Sequence, residues 1–290
     1  MIFCHIHSYQ FFSCSIDYKK SPMLFSILIA HYNNSVYFTD AYKSILAQTY
    51  PNYEVIILDD GSREEDFLKI SQLVQHDEKV KIYRNTENKG AGYTKRKCIE
   101  LATGDICGFL DPDDALMPEA LAEIVSLYTP DTVAIYSQIK ICDEALKNGK
   151  TFPNSKQIKN GDPLFFNISF EVAHFFSFRR SAYFKTAGIN PNLSSSEDQD
   201  LYLKLYEVGN FKFIKKILYL YRSHNGGLSQ DETKKKTLHE NWNTVIRDTL
   251  KRRKINELYG KNVSEIKNPT AYIYEKQNTI WYKIRKKLKQ

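Results

Sequence analysis

The chain is short of the features that mark secreted, membrane-spanning or metal-stapled proteins. Its 290 residues include 5 cysteines (Cys4, Cys14, Cys98, Cys107 and Cys142), an odd number with no C-x-x-C spacing. That argues against a disulfide framework and against a structural zinc site, and a reducing cytoplasm is the simpler expectation. No segment reaches the roughly 18 consecutive apolar residues of a membrane-spanning helix. The first 22 residues hold apolar clusters, but His, Ser and Gln interrupt them and no basic stretch precedes them, so they do not read as a signal peptide. They are expected to lie outside the fold, and Met23, directly before the first strand pattern, is a possible alternative start. There is no internal repeat and no Gly-rich basic phosphate loop near the N-terminus.

What is present is an ordinary globular composition, 42% hydrophobic and 26% charged, with an uneven charge. Residues 231–290 carry sixteen Lys and Arg against seven Asp and Glu, which leaves everything before them slightly acidic although the whole chain is at +7. Such a basic end suits an anionic partner. In it, "IWYKIRKKLKQ" sets Trp281 and Tyr282 beside five basic residues, a pattern suited to a helix lying on an anionic membrane surface. A solvated helix packed on the rest of the protein remains the alternative. No nucleic-acid recognition motif accompanies the charge.

From Leu24 onward, short β-branched and apolar runs alternate with segments of helical period. "LFSILIA", "YEVIILDDGS", "VKIYRN" and "DICGFLD" read as strands, each followed by a helix. That alternation predicts βαβ units, an α/β fold and a mostly parallel central sheet with flanking helices. Past Thr132 the pattern loosens, and residues 145–170 are irregular. "SEDQDLYLKLYEVG" is a helix ended by Gly209 in the usual capping role, "FKFIKKILYLYRSH" is a strand, and from about residue 231 the chain is charged helix. The expected division is 1–22 as an N-terminal extension, 23–230 as the catalytic domain and 231–290 as a basic helical C-terminal region.

In an open parallel sheet, ligands bind beyond the carboxyl ends of the strands. "AHYNN", "DDGS" and "DPDD" fall at three such ends. Carboxylates this crowded repel one another unless a cation lies between them, so "DPDD" suggests a hard divalent metal completed by water and phosphate. A solvated turn that uses Asp as a cap before the next helix is the plainer alternative. Likewise the "ED" of "SSSEDQDL" reads either as catalytic acids or as helix N-terminal acids favoured by the macrodipole.

Taken in order, "SILIAHYNN", "AYKSILAQTYPNYEVIILDDGS", "NKGAGYTKRKCIELATGDICGFLDPDD", "SEDQDLYLKL" and "YRSH" resemble the family 2 glycosyltransferases of the GT-A fold, across about residues 24–229. No one of these motifs is specific; their order and spacing are.

The resemblance implies an inverting transfer of a sugar from a nucleotide-sugar donor, UDP-linked by expectation, to a hydroxyl of a saccharide or lipid-linked saccharide. That would belong to the synthesis of a bacterial-type surface polysaccharide or lipopolysaccharide, by a cytoplasmic enzyme that can sit on the inner face of the membrane. It implies that Ala30 and Tyr32 line the nucleobase pocket, that Asp60 accepts a hydrogen bond from the base, and that Asp111 holds the ribose. Asp113 would bind a Mn or Mg ion bridging the donor phosphates, with Asp114 capping the turn or supporting the metal. Asp198 would be the base that deprotonates the acceptor, Glu197 would position the acceptor, and Asp200 is expected at the surface. Arg222 would neutralise the leaving group, His224 would complete the metal shell or contact the pyrophosphate, with a structural histidine as the plainer alternative, and "NGG" (225–227) would be a flap. The resemblance puts Lys95, followed by Arg96, at the nucleobase or phosphate contact of the nucleotide-sugar where the family often has the Arg of "ARN", a departure that matters because Lys cannot make the paired contacts of Arg.

Three rivals stand beside this reading. A D-x-D phosphohydrolase would place its D-x-D after the first strand, and a nucleotidyltransferase would need the missing phosphate loop. A non-catalytic nucleotide-sugar-binding or assembly subunit would be expected to have lost Asp113 or Asp198.

Overall fold

The computed structural model describes residues 22–224 and 235–279. Residues 1–21 of the expected leader, the "NGG" flap and the aromatic-basic stretch from Trp281 onward lie outside the described residues.

The chain begins β1 (Phe25–His31), α1 (Ser35–Leu46), β2 (Tyr53–Asp59), α2 (Glu64–Val74), β3 (Val80–Arg84), α3 (Ala91–Leu101), β4 (Ile106–Phe109), β5 (Ala115–Leu116) and α4 (Ala120–Ser126). It continues through β6 (Thr132–Cys142), β7 (Gly149–Thr151), β8 (Phe176–Arg179), α5 (Arg180–Tyr183), α6 (Glu197–Tyr206) and β9 (Asn210–Arg222). The last described elements are α7 (Lys235–Arg252), a two-stranded hairpin of β10 (Glu257–Leu258) and β11 (Lys261–Asn262), and α8 (Pro269–Gln277).

The main sheet runs β3-β2-β1-β4-β8-β6-β9-β5, with β7 added beside β6. The expected parallel order holds for β3, β2, β1 and β4. Beyond β4 the sheet is mixed, because β8 runs antiparallel to both β4 and β6, and β5 runs antiparallel to β9, while β6 and β9 are parallel. The reversal at β8 brings the start of that strand to the end of β4, where the acidic turn leaves the sheet.

Strands β1 and β2 are continuous apolar runs because both faces of the sheet are covered. Alternate residues serve opposite layers. Phe25, Ile27 and Ile29 pack with Phe38 and Ala41 of α1 and Ile70 and Val74 of α2, while Leu28 packs with Cys98 and Ile99 of α3 on the other side. Burial of each such side chain stabilises the fold by about 1.5–3 kcal/mol.

Helix α7 buries Trp242, Val245, Ile246, Thr249 and Leu250, a stripe at helical spacing. The apolar members of that stripe join the same cluster as Leu201, Tyr202 and Leu205 of α6. Residues 235–279 thus rest on the core that also supports α6. No helix among the described residues is long and apolar enough to cross a membrane.

Two local expectations change. Helix α6 ends at Glu207 in a right-handed conformation, so Gly209 is no left-handed cap. A Cβ on Gly209 would lie 2.1 Å from Val133 Cγ2, so glycine is required there by the close approach of β6. Asp200 is also no surface residue: it is 1% exposed, pairs with Lys204 at 2.8 Å and accepts from Asn190 N at 2.7 Å.

Candidate active site

The site forms beyond the carboxyl ends of β1, β2 and β4, and the three aspartates of "DPDD" point to three different sets of partners. Asp111 faces Lys95, with Lys95 Nζ 3.6 Å from Asp111 Oδ1. Asp113 faces His224, whose Nε2 lies 2.8 Å from Asp113 Oδ2. Asp114 is buried and accepts from Tyr219 Oη at 2.7 Å and from Arg222 N at 2.7 Å, which ties the turn to β9. Burial, followed by repulsion from Asp111 and Asp113, pushes the Asp114 carboxyl well above the usual carboxylate range. These bonds hold the turn against β9.

Lys95 is the centre of the first group. Helix α3 delivers it from the far side of the sheet, 6% exposed, and its Nζ reaches Glu197 Oε1 and Asp198 Oδ1 at 2.9 Å each. Burial works against the charge on Lys95, but Asp111, Asp198 and Glu197 outweigh it and hold its pKa well above the usual lysine value. The lysine that stands in the place of the family's Arg thus has its ammonium engaged by the candidate base and its neighbours.

The second carboxylate oxygen of Asp198 looks toward His174, at 3.7 Å from Nε2, and Asp111 Oδ2 is 3.8 Å from the same atom. His174 stacks on Tyr219, with ring centroids 5.1 Å apart. Sequence reasoning missed His174. The available signal was its position just ahead of β8, which meets the end of β4 only once that strand is known to run antiparallel.

Asp60 is buried, and both of its oxygens are engaged: Oδ1 accepts from Asn85 Nδ2 at 2.8 Å and Lys89 N at 2.9 Å, and Oδ2 accepts from Gly90 N at 2.9 Å. It fastens the loop before α3. Asp59 is equally buried and accepts from His31 Nδ1 at 2.8 Å, an unforeseen pair that joins the ends of β1 and β2. Ala30 lies at that same end of β1, and Tyr32 next to it is 49% exposed.

Arg222 is not placed to meet a leaving group. It is 3% exposed, donates from Nε to Asp113 O at 2.6 Å and from a terminal nitrogen to Glu144 O, and pairs with Asp40 at 2.9 Å. Its guanidinium also lies 4.6 Å from the centre of the Tyr37 ring. Those partners make it a brace that fixes the acidic turn to α1 and to the loop after β6.

Among the described residues no three His, Cys, Asp or Glu side chains form a metal cage. The pair that does fit a cation is Asp113 and His224. Their facing atoms are close enough to occupy neighbouring positions on one ion with ligand distances of about 2.0–2.1 Å. A Mg or Mn ion with so few protein ligands keeps waters and takes substrate phosphates.

A family model described as Glycosyl transferase family 2 matches residues 26–185, more than half of the chain. The chondroitin synthase of Escherichia coli is 30% identical over 269 residues, 90% of this chain and 38% of that protein. The hyaluronan synthase of Pasteurella multocida is 29% identical over 261 residues, 87% of this chain and 26% of that protein. The chain thus spans between about a quarter and two fifths of the length of these curated relatives. Among solved structures, S. aureus TarS 1-349 in complex with UDP-GlcNAc matches with a TM-score of 0.65 at 20% identity, over 79% of this chain and 67% of that one. The mannosyltransferase PcManGT from Pyrobaculum calidifontis, in complex with GDP-Man and Mn2+, matches with a TM-score of 0.54 at 14% identity, over 90% of this chain and 82% of that one. These likenesses place the fold in the GT-A class.

Proposed function

The chain belongs to glycosyl transferase family 2, and from that premise we propose that it moves a sugar from a UDP-linked donor to a hydroxyl of a saccharide acceptor during surface-polysaccharide synthesis, with inversion. The observation that carries this reading is the meeting of Asp111, from the end of β4, with Glu197 and Asp198, from the first turn of α6, on the single ammonium of Lys95.

Asp198 is the base. Lys95 fixes one of its oxygens, and the other, on the His174 side, takes the acceptor proton as the acceptor oxygen bonds to the anomeric carbon. The bond from that carbon to the donor diphosphate breaks at the same time, and the diphosphate leaves with the electron pair. Asp111 stands beside this centre to hold the donor ribose. Asp113 and His224 would hold a Mn or Mg ion, which when bound neutralises the charge that develops on the diphosphate. Relatives that are a chondroitin synthase and a hyaluronan synthase, and a fold neighbour bound to UDP-GlcNAc, support a saccharide acceptor and a UDP donor.

The test compares wild type with Asp198→Asn on a panel of UDP-sugars and acceptors with Mn added. Turnover is expected to fall by about 10²–10⁴-fold while UDP still binds. Wild-type protein that binds UDP but never turns over would favour the non-catalytic subunit. Turnover that survives in Asp198→Asn would remove Asp198 as the base.

A further inference from the structure

An exposed aromatic shelf is tied to the helix turn that carries Glu197 and Asp198. Residues 167–172 form a tight turn in which Phe170 N donates to Asn167 O at 3.0 Å. The Asn167 side chain accepts from Val172 N at 2.8 Å and donates to Val172 O at 2.9 Å. It also donates to Gln199 Oε1 at 2.9 Å, so the turn is fastened by a buried bridge to the residue directly after Asp198.

Asn167 and Phe170 both adopt left-handed backbone conformations, with φ of 50° and 54°. Asn tolerates that region, but a bulky residue there costs on the order of 1–3 kcal/mol. The result is that Phe170 stands 41% exposed, with its ring against Trp242 at a centroid distance of 5.0 Å. The neighbour of that tryptophan, Asn241, donates to Ser194 Oγ at 3.0 Å and Ser195 Oγ at 2.9 Å, on the segment that leads into α6. The shelf and its polar rim are therefore attached from two sides to the helix turn that carries Glu197 and Asp198.

One exposed phenylalanine needs no explanation. A phenylalanine held outward in a strained conformation, backed by a buried tryptophan and anchored beside the candidate base, does. We propose that Phe170, with Ser194, Ser195 and Asn241 at its edge, is an acceptor subsite that binds a sugar ring of the saccharide acceptor. The flat C–H face of a pyranose packs on an aromatic ring, and its hydroxyl edge suits small polar side chains. This inference rests on the glycosyl-transfer reading and commits to a saccharide because the shelf is tied, through Gln199 and through Ser194 and Ser195, to the helix turn that carries the group that must deprotonate a hydroxyl.

Saturation-transfer NMR is run on wild type, Phe170→Ala and Phe170→Tyr with UDP present and with short neutral, N-acetylated and uronate-containing oligosaccharides as probes, alongside transfer kinetics. Wild type is expected to bind at least one class. Phe170→Ala should weaken that binding and raise the acceptor KM by about tenfold, the scale of one lost aromatic contact. Phe170→Tyr should restore both, and the UDP dissociation constant should hold in all three. Transfer that proceeds with an acceptor KM indifferent to Phe170→Ala overturns the shelf and leaves the glycosyl-transfer reading standing. Failure of wild type to bind any oligosaccharide also overturns it. Phe170-dependent binding without any donor turnover keeps the shelf and removes the transfer reading.

Discussion

The acidic residues of the site fall into two groups that are balanced in opposite ways. Asp111, Glu197 and Asp198 converge on Lys95, a buried ammonium that belongs to the chain. Asp113 instead faces His224, framed by Arg222, and among the described residues no ammonium or guanidinium meets its carboxylate. The first group holds a counter-ion of its own, one ammonium shared by three carboxylates, which fixes their arrangement from within the protein. The second is half of a coordination sphere and is completed from outside. A buried ion pair contributes little net stability, because desolvation offsets attraction, but it fixes direction well. Fixed direction is what a base needs, whereas replaceable ligands are what a departing diphosphate needs.

The largest effect should follow from breaking the first group. Lys95→Met leaves three carboxylates around an apolar side chain, and loss of one partner of a buried pair costs about 3–5 kcal/mol. The melting temperature should fall by roughly 10 °C, with loss of turnover, as measured by calorimetry and transfer assay. Lys95→Arg should keep most of the stability and little of the activity, since the planar fork cannot place its charge as the ammonium does.

The pH dependence of that loss has a definite sign. The folded protein raises the pKa of Lys95 above its ordinary 10.5, so its contribution is fully present below that value and is lost only as pH rises through the raised one. The difference in melting temperature between wild type and Lys95→Met should be constant from neutrality to about pH 10 and shrink only above it. A difference that already shrinks near neutrality would show that Lys95 is not the counter-charge.

At the other end the ranking reverses. Asp113→Asn and His224→Ala should leave the melting temperature nearly unchanged and weaken Mn-supported UDP binding by about tenfold or more. Titration calorimetry with and without Mn reads both. If Asp113→Asn destabilised the fold as Lys95→Met does, or if UDP bound equally well without Mn, the two ends would not differ in kind.

Much of this arrangement was legible in the chain. Strand and helix alternation put "DDGS" and "DPDD" at strand ends, and the carboxyl-end rule then gathers them without any structure. Directions of side chains were not legible. Lys95 reads as a donor contact until α3 is packed on β1 and β2 and its ammonium is seen to meet Glu197 and Asp198, and Arg222 reads as a leaving-group partner until Glu144, Asp40 and the acidic turn are seen to enclose it. His174 depends on an antiparallel neighbour that no local periodicity announces. Asp60 was found correctly as a strand-end acid, yet its oxygens are spent on Lys89 N and Gly90 N, a turn that only the folded loop creates.

The smallest effect tests how the open end is held. Tyr37 lies between the two residues that frame it: its ring is 4.6 Å from the His224 ring and 4.6 Å from the Arg222 guanidinium carbon, and its hydroxyl donates to Glu144. If the ring does the positioning, Tyr37→Phe removes one half-exposed hydrogen bond at a cost of about 1 kcal/mol and barely alters Mn-supported UDP binding, whereas Tyr37→Ala weakens that binding as His224→Ala does. If Tyr37→Phe alone matched His224→Ala, the frame would depend on the hydroxyl link to the loop after β6. The open end would then be governed by a hydrogen-bonded loop and not by stacked side chains on α1.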